Sequence, residues 1–131
     1  MAVVIDNSVE ITVPACQRQV PIVREVAHRA LLLEDWMLDD IADVDLVIDE
    51  ICARVMAVAE PAVRLTLALT AYEEGVAGQV MCRVGDEIDI NTEDFGWQMV
   101  VSMTDGRAVD YVMDGSVRRV MVGFVKRRSC C

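Results

Sequence analysis

From about Met37 to Ala59, the residues Ile41, Val44, Ile48, Ile51, Val55 and Val58 return every three or four positions, which lays one apolar stripe along an α-helix. Such a stripe faces a core, and the rest of the chain must supply one. Glu60-Pro61 stops the helix, because proline has no N–H to continue the ladder. On both sides the period falls to two. Val9, Ile11 and Val13 alternate with polar neighbours and predict a first strand closed by Pro14. Val63, Leu65, Leu67 and Leu69 alternate with Arg64, Thr66, Ala68 and Thr70, and Val80, Cys82 and Val84 follow the loop Glu73-Glu74-Gly75, which predicts an antiparallel pair.

Between the first strand and the long helix, Val20, Val23, Ala27, Ala30 and Leu31 keep helical spacing, with Pro21 tolerable only in the first turn. The segment from Gly85 to Asp94 is polar and irregular, and Phe95 to Met103 predicts a third, short helix. Ala108 to Met113 and Val117 to Val125 then flank Asp114-Gly115, a two-residue hairpin signal. The expected order is strand, helix, helix, strand, strand, helix, strand, strand: an α+β fold, a two-layer sandwich with its helices on one side.

The 131 residues fit a single domain, 1–131, large enough for a real core. Apolar runs such as Ala30 to Leu33 fall far short of the roughly 20 residues that span a bilayer, so no membrane segment is expected. The start MAVVIDNSVE has no basic residue before its apolar stretch, so no signal peptide is expected there and the expected location is the cytoplasm. With 22 acidic against 12 basic side chains the formal charge is -10, which repels nucleic acid and favours basic partners. The five cysteines, Cys16, Cys52, Cys82, Cys130 and Cys131, form no C-x-x-C pair, so no metal site is expected; the first three are read as small apolar residues. The basic, cysteine-ended tail at 127–131 is expected to be disordered. His28, with no Ser, Asp or Cys arranged locally around it, reads as a satisfied or solvent-facing histidine.

The stretch LVIDEICARVMAVA, Leu46 to Ala59, resembles the N-box helix of the GHKL (Bergerat-fold) ATPases, in particular the small bacterial anti-sigma factors of the serine-kinase type. Element order, length, the segment Phe95-Gly96-Trp97 with its apolar helix and Thr104-Asp105, and the final hairpin ending in Val-Lys-Arg-Arg agree over about Val9 to Arg128. The resemblance implies a histidine-kinase-like ATPase fold, with a mixed, mostly antiparallel sheet of about five strands under three helices. It also implies a site for ATP and magnesium. In the family's E-x-x-x-N pattern the glutamate is the general base and the asparagine helps hold the metal; a D-x-G-x-G loop grips adenine and a glycine-rich segment touches the phosphates.

Glu50 matches the base, but Arg54 stands where the asparagine is expected. A guanidinium has five donors and no acceptor, so it cannot coordinate magnesium and repels it. Its fork has two remaining uses: triphosphate oxygens, or a helical ion pair with Glu50 worth about 0.3–0.5 kcal/mol. Asp86 matches the adenine-reading aspartate, yet neither following glycine is present, and Gly96 matches one phosphate-contacting glycine. Between Asp86 and Gly96 lie four more acids, Glu87, Asp89, Glu93 and Asp94, a poor lid for a triphosphate. The expected reading is a pseudo-kinase: an anti-sigma factor that sequesters an alternative sigma factor, is antagonised by an anti-anti-sigma (STAS-type) protein, and forms a homodimer as its relatives do. The alternative is an active ATP-dependent serine-protein kinase using Glu50.

Eight acids crowd Glu34 to Glu50 without a Lys or Arg, interrupted by Trp36 and Met37. Part of that density is what a solvated helix face and a helix N-terminus take by themselves. The remainder marks Asp35, Trp36, Asp39, Asp40 and Asp43 as a candidate surface for a basic helical partner, with charge speeding encounter and Trp or Met anchoring it. Trp97 is either a second anchor or a core residue.

Overall fold

A computed structural model describes residues 7–129. Strand β1 covers Asn7–Pro14, and a single 3-10 turn at Gln17–Gln19 leads into helix α1, Val20–Leu33, with Pro21 in its first turn. Helix α2, Leu38–Val58, starts without a side-chain cap, and Asp39 and Asp40 in its first turn offset the positive end of its dipole. Strands β2, Arg64–Tyr72, and β3, Gly75–Val84, follow, then α3, Phe95–Met103, β4, Gly106–Asp114, and β5, Val117–Arg127. No described helix is long and apolar enough to cross a membrane.

The five strands form one sheet in the order β1-β2-β3-β5-β4, and every neighbouring pair is antiparallel. The expected mixed sheet is corrected here, and the connections give the reason. Helices α1 and α2 traverse the helical layer twice, so the chain re-enters the sheet at the end it left, with Pro14 opposite Arg64. The single traverse through α3 makes β4 run in the same sense as β3, but β5 pairs with both and separates them. The second hairpin is also displaced by one residue. Pairing extends to Asp114 opposite Val117, so the two-residue turn is Gly115-Ser116, and Gly115 takes the left-handed φ of 63° that this tight turn needs.

Alternate strand residues, among them Leu65, Leu67, Leu69, Val80, Val120 and Val122, meet Val23, Ala27, Ile41, Val44, Ile48, Ile51 and Val55 of the helices in one core. Cys52 and Cys82 lie inside it, where burial pushes their thiols up to about 12 and about 11, and Cys16 is half-buried. Trp97 is a core residue.

The tail expected to be disordered from residue 127 is held as far as Ser129. Arg127 ends β5. Arg128 donates from Nη2 to the carbonyls of Glu34 and Asp35 at 3.1 and 2.8 Å and lies over the Trp36 ring, 5.2 Å from its centroid. Ser129 donates its N–H to Asp40 Oδ2 at 2.7 Å, and its hydroxyl meets Oδ1 at 2.9 Å. Those partners sit about 90 residues upstream, which is why the local composition of the tail did not indicate them. Cys130 and Cys131 lie outside the described residues.

Candidate functional site

Glu50 and Arg54 stand one turn apart on α2, on the side that packs against α3. Helix α3 is capped by Asp94, whose carboxylate accepts the Trp97 N–H at 3.0 Å and so satisfies one of the helix's free amides. The same carboxylate receives both terminal nitrogens of Arg54, Nη1 at 3.0 Å to Oδ2 and Nη2 to Oδ1. Arg54 Nη1 also donates to the Asn91 carbonyl at 2.8 Å, and Nη2 to Glu50 Oε2 at 3.2 Å. The guanidinium is therefore a four-point clamp between α2 and the entry to α3. Its side chain is only 11% exposed, and Nε is buried without a partner.

Charge on each side reinforces the clamp. The bond to Asp94 raises the Arg54 guanidinium further above its ordinary value, ahead of the opposing effect of its own burial. In return, the Arg54 hydrogen bonds, then the Trp97 amide, hold the Asp94 carboxyl below the usual carboxylate range. Gly96 completes the cluster. A Cβ there would stand 2.4 Å from Arg54 Nη2 and 2.6 Å from Glu50 Oε2, so any larger residue has to push these two side-chain ends aside.

The Gly85–Asp94 segment is largely exposed and is tethered at Ile90. Ile90 is buried, and its N–H is held by the Tyr111 hydroxyl at 2.8 Å. Arg118, stacked 4.1 Å above the Tyr111 ring, donates to the carbonyls of Gly85 and Ile88, each at 3.0 Å, and pairs with Asp89. Asp86 is exposed at the start of this segment and is not brought to Glu50 and Gly96 by any hydrogen bond described. Of the four matched positions, direct contacts join Glu50, Arg54 and Gly96, and no contact described includes Asp86. Glu50, Arg54, Asp86 and Gly96 line none of the four depressions described on the surface. Of the two uses open to the Arg54 fork, the side chain takes the internal ion pair, and it adds a stronger one to Asp94. A divalent ion between Glu50 and Asp94 would have to displace a guanidinium that both carboxylates already hold, so these residues do not fit magnesium.

The acidic run resolves differently from expectation. Arg24 Nη1 donates to both Asp49 oxygens, at 3.1 and 2.9 Å, and His28 Nδ1 lies 2.8 Å from Asp45 Oδ2, so side chains of α1 engage the acids on that side of α2. Burial raises the Asp45 carboxyl even so, with His28 pulling the other way. Asp43 lies 3.5 Å from Lys126, and Asp40 is buried under Ser129. Trp36, expected as a surface anchor, is 4% exposed and belongs to the core. Asp35 and Asp39 remain exposed, with Glu34. Beside them the α1–α2 corner presents Leu33 at 73% and Leu38 at 70% exposure, with Leu32 and Met37 partly exposed. Met37 was legible as an anchor; Leu33 and Leu38 were not, because helical spacing does not say on which side of a corner the chain turns. Asp94 was legible in principle as an acid immediately before an apolar helix.

No family model and no curated protein matches this chain.

Proposed function

We propose that this domain is an anti-sigma factor: it sequesters an alternative sigma factor by surface contact and is released by an anti-anti-sigma protein of STAS type. On this reading its scaffold is of the Bergerat kind, works as a homodimer in the cytoplasm, and has a nucleotide site that no longer takes magnesium–ATP. The supporting observation is the α1–α2 corner, where Leu32, Leu33, Met37 and Leu38 are exposed together beside Glu34, Asp35 and Asp39. Apolar side chains rimmed by acids whose carboxylates form no ion pair among the described residues suit an amphipathic helix with a basic rim, which sigma factors offer. The partner surface is thus moved from Trp36, Asp40 and Asp43, which are engaged internally, to the leucines around them. The Arg54 clamp supports contact rather than phosphoryl transfer, because the general base position Glu50 and the cap Asp94 already share a cation.

The test is capture of binding partners from the source organism by the full chain, alongside a variant carrying Leu33→Asp and Leu38→Asp. A sigma factor retained by the parent and lost by the folded variant supports the reading. Recovery of neither a sigma factor nor a STAS-type antagonist overturns it. Transfer of label from ATP to such an antagonist would restore the kinase alternative.

A further inference from the structure

The face of the sheet turned away from the helices has no described element packed on it, and its charges are unevenly placed. Leu65 pairs with Cys82 and Arg83 with Arg119. Arg64, next to Leu65, therefore continues the row, so Arg64, Arg83 and Arg119 lie side by side on β2, β3 and β5. Their inward neighbours Leu65, Cys82 and Val120 are buried, which puts all three guanidiniums on the open face. With adjacent strands about 4.8 Å apart, the row spans about 10 Å. It lines a depression of about 460 Å³ with Ala62, Val63 and Thr66.

Such a row is costly to the empty fold, since like charges directly opposite on neighbouring strands repel. The chain has 22 acids with which to quench it, yet spends little there. Arg83 meets Glu60 through Nε at 2.8 Å, Arg119 has only an exposed Asp114 at 3.5 Å, and Arg64 has no ion pair among the described residues. Three of twelve cations in a strongly acidic protein thus converge on one concavity and keep most of their donors open. Arginine forks match phosphate oxygens two at a time, and a single phosphate cannot reach across the whole row.

From this row we propose that the Arg64–Arg83–Arg119 depression is a binding site for a small molecule bearing two or more linked phosphate groups, independent of the Glu50–Arg54 cluster on the opposite face of the sheet. Inorganic pyrophosphate is the probe, titrated calorimetrically into the full chain at about 0.1 M salt so that the -10 charge is screened. The expected result is saturable binding, with orthophosphate at least about 10-fold weaker and with Arg64→Ala and Arg119→Ala each weakening pyrophosphate by at least about 10-fold. Arg107→Ala, on β4 and outside this depression, leaves it unchanged. Melting temperature supplies a second readout that a merely structural row would not give. Without ligand, Arg64→Ala is as stable as the parent or more so, and the rise that pyrophosphate causes in the parent is absent from the variant. No saturation up to about 10 mM pyrophosphate, or equal affinity in the parent and both arginine variants, overturns the proposal. ATP bound in this depression is lost with Arg64→Ala, whereas ATP bound beside Glu50 is not, so the two faces are distinguished in one experiment.

Discussion

Replacing Gly96 by alanine tests the closed cluster through the sign of its effect. In an open cleft the substitution would help, because alanine is favoured over glycine within a helix by at most about 1 kcal/mol, and by less in a first turn. In the packing described here the new Cβ meets Arg54 Nη2 at 2.4 Å and Glu50 Oε2 at 2.6 Å. Both atoms must retreat by roughly 1 Å to reach ordinary contact, and both are tied, one to Asp94 and each to the other. Overpacking of this kind costs about 1–3 kcal/mol, so the net expectation is destabilisation by about 1–2 kcal/mol. For a domain of this length that is a fall in melting temperature of about 4–8 °C, read by calorimetry and checked by urea unfolding. The Arg54→Ala background supplies the control. There Glu50 is free to turn away, and Gly96→Ala becomes neutral or mildly stabilising, a coupling of about 1–2 kcal/mol between the two positions. Stabilisation by Gly96→Ala alone, or the same loss in both backgrounds, would refute the closed cluster.

The cluster also has a pH signature. Because Asp94 titrates below its ordinary 3.8 in the folded chain, its contribution is complete above that value and is lost as the pH falls through the lower folded value. Asp94→Asn therefore flattens the acid limb of stability against pH below about pH 4, measured as the urea midpoint. Arg54→Asn places a neutral oxygen at this position but leaves the Arg118 tether and the buried Ile90 in place, so calorimetry finds no magnesium-dependent ATP binding tighter than about 0.1 mM. Arg128→Ala removes the cation over Trp36 and two carbonyl contacts; a loss of about 1–2 kcal/mol and a shifted tryptophan emission are expected in thermal and fluorescence melts. Leu33→Asp with Leu38→Asp leaves the melting temperature within about 2 °C, since both side chains are already in water, while partner affinity measured by surface capture falls at least about 10-fold.

Periodicity carried most of the fold. The α2 stripe, the alternation in β2 and the bounds of α3 are local properties, because the apolar face of one element is written in its own residues. What escaped was non-local. The antiparallel sheet depends on β5 lying between β3 and β4, and nothing within β5 states who its neighbours are. Trp36 reads as an exposed aromatic among acids until Arg128, 92 positions later, is seen lying over it. In the candidate site the Glu50–Arg54 pair followed from helical spacing, but its stronger half did not: Asp94 reaches Arg54 across 40 positions of chain. The arginine row was hidden for the same reason, since Arg64, Arg83 and Arg119 become neighbours only through strand register.

Helix α2 joins the clamp to the corner: Leu38 opens it and Arg54 lies sixteen residues on, about 24 Å along its axis. Two carboxylates from different elements, Glu50 and Asp94, converge with a cation between them, and here that cation is covalently part of α2. A diffusible ion would tie the packing of α2 on α3 to whatever delivers and removes it; a guanidinium with a raised pKa, anchored at four points, supplies the charge permanently. The packing of α2 on α3 is then held without a bound metal, and magnesium–ATP finds no ion-dependent contact there through which to bias it. Under the proposed function, control of the partner must therefore come from competition at the corner itself or from an effector that binds elsewhere on the sheet. Antagonist and sigma factor should exclude one another in a binding assay without nucleotide, and adding magnesium–ATP should leave that competition unchanged.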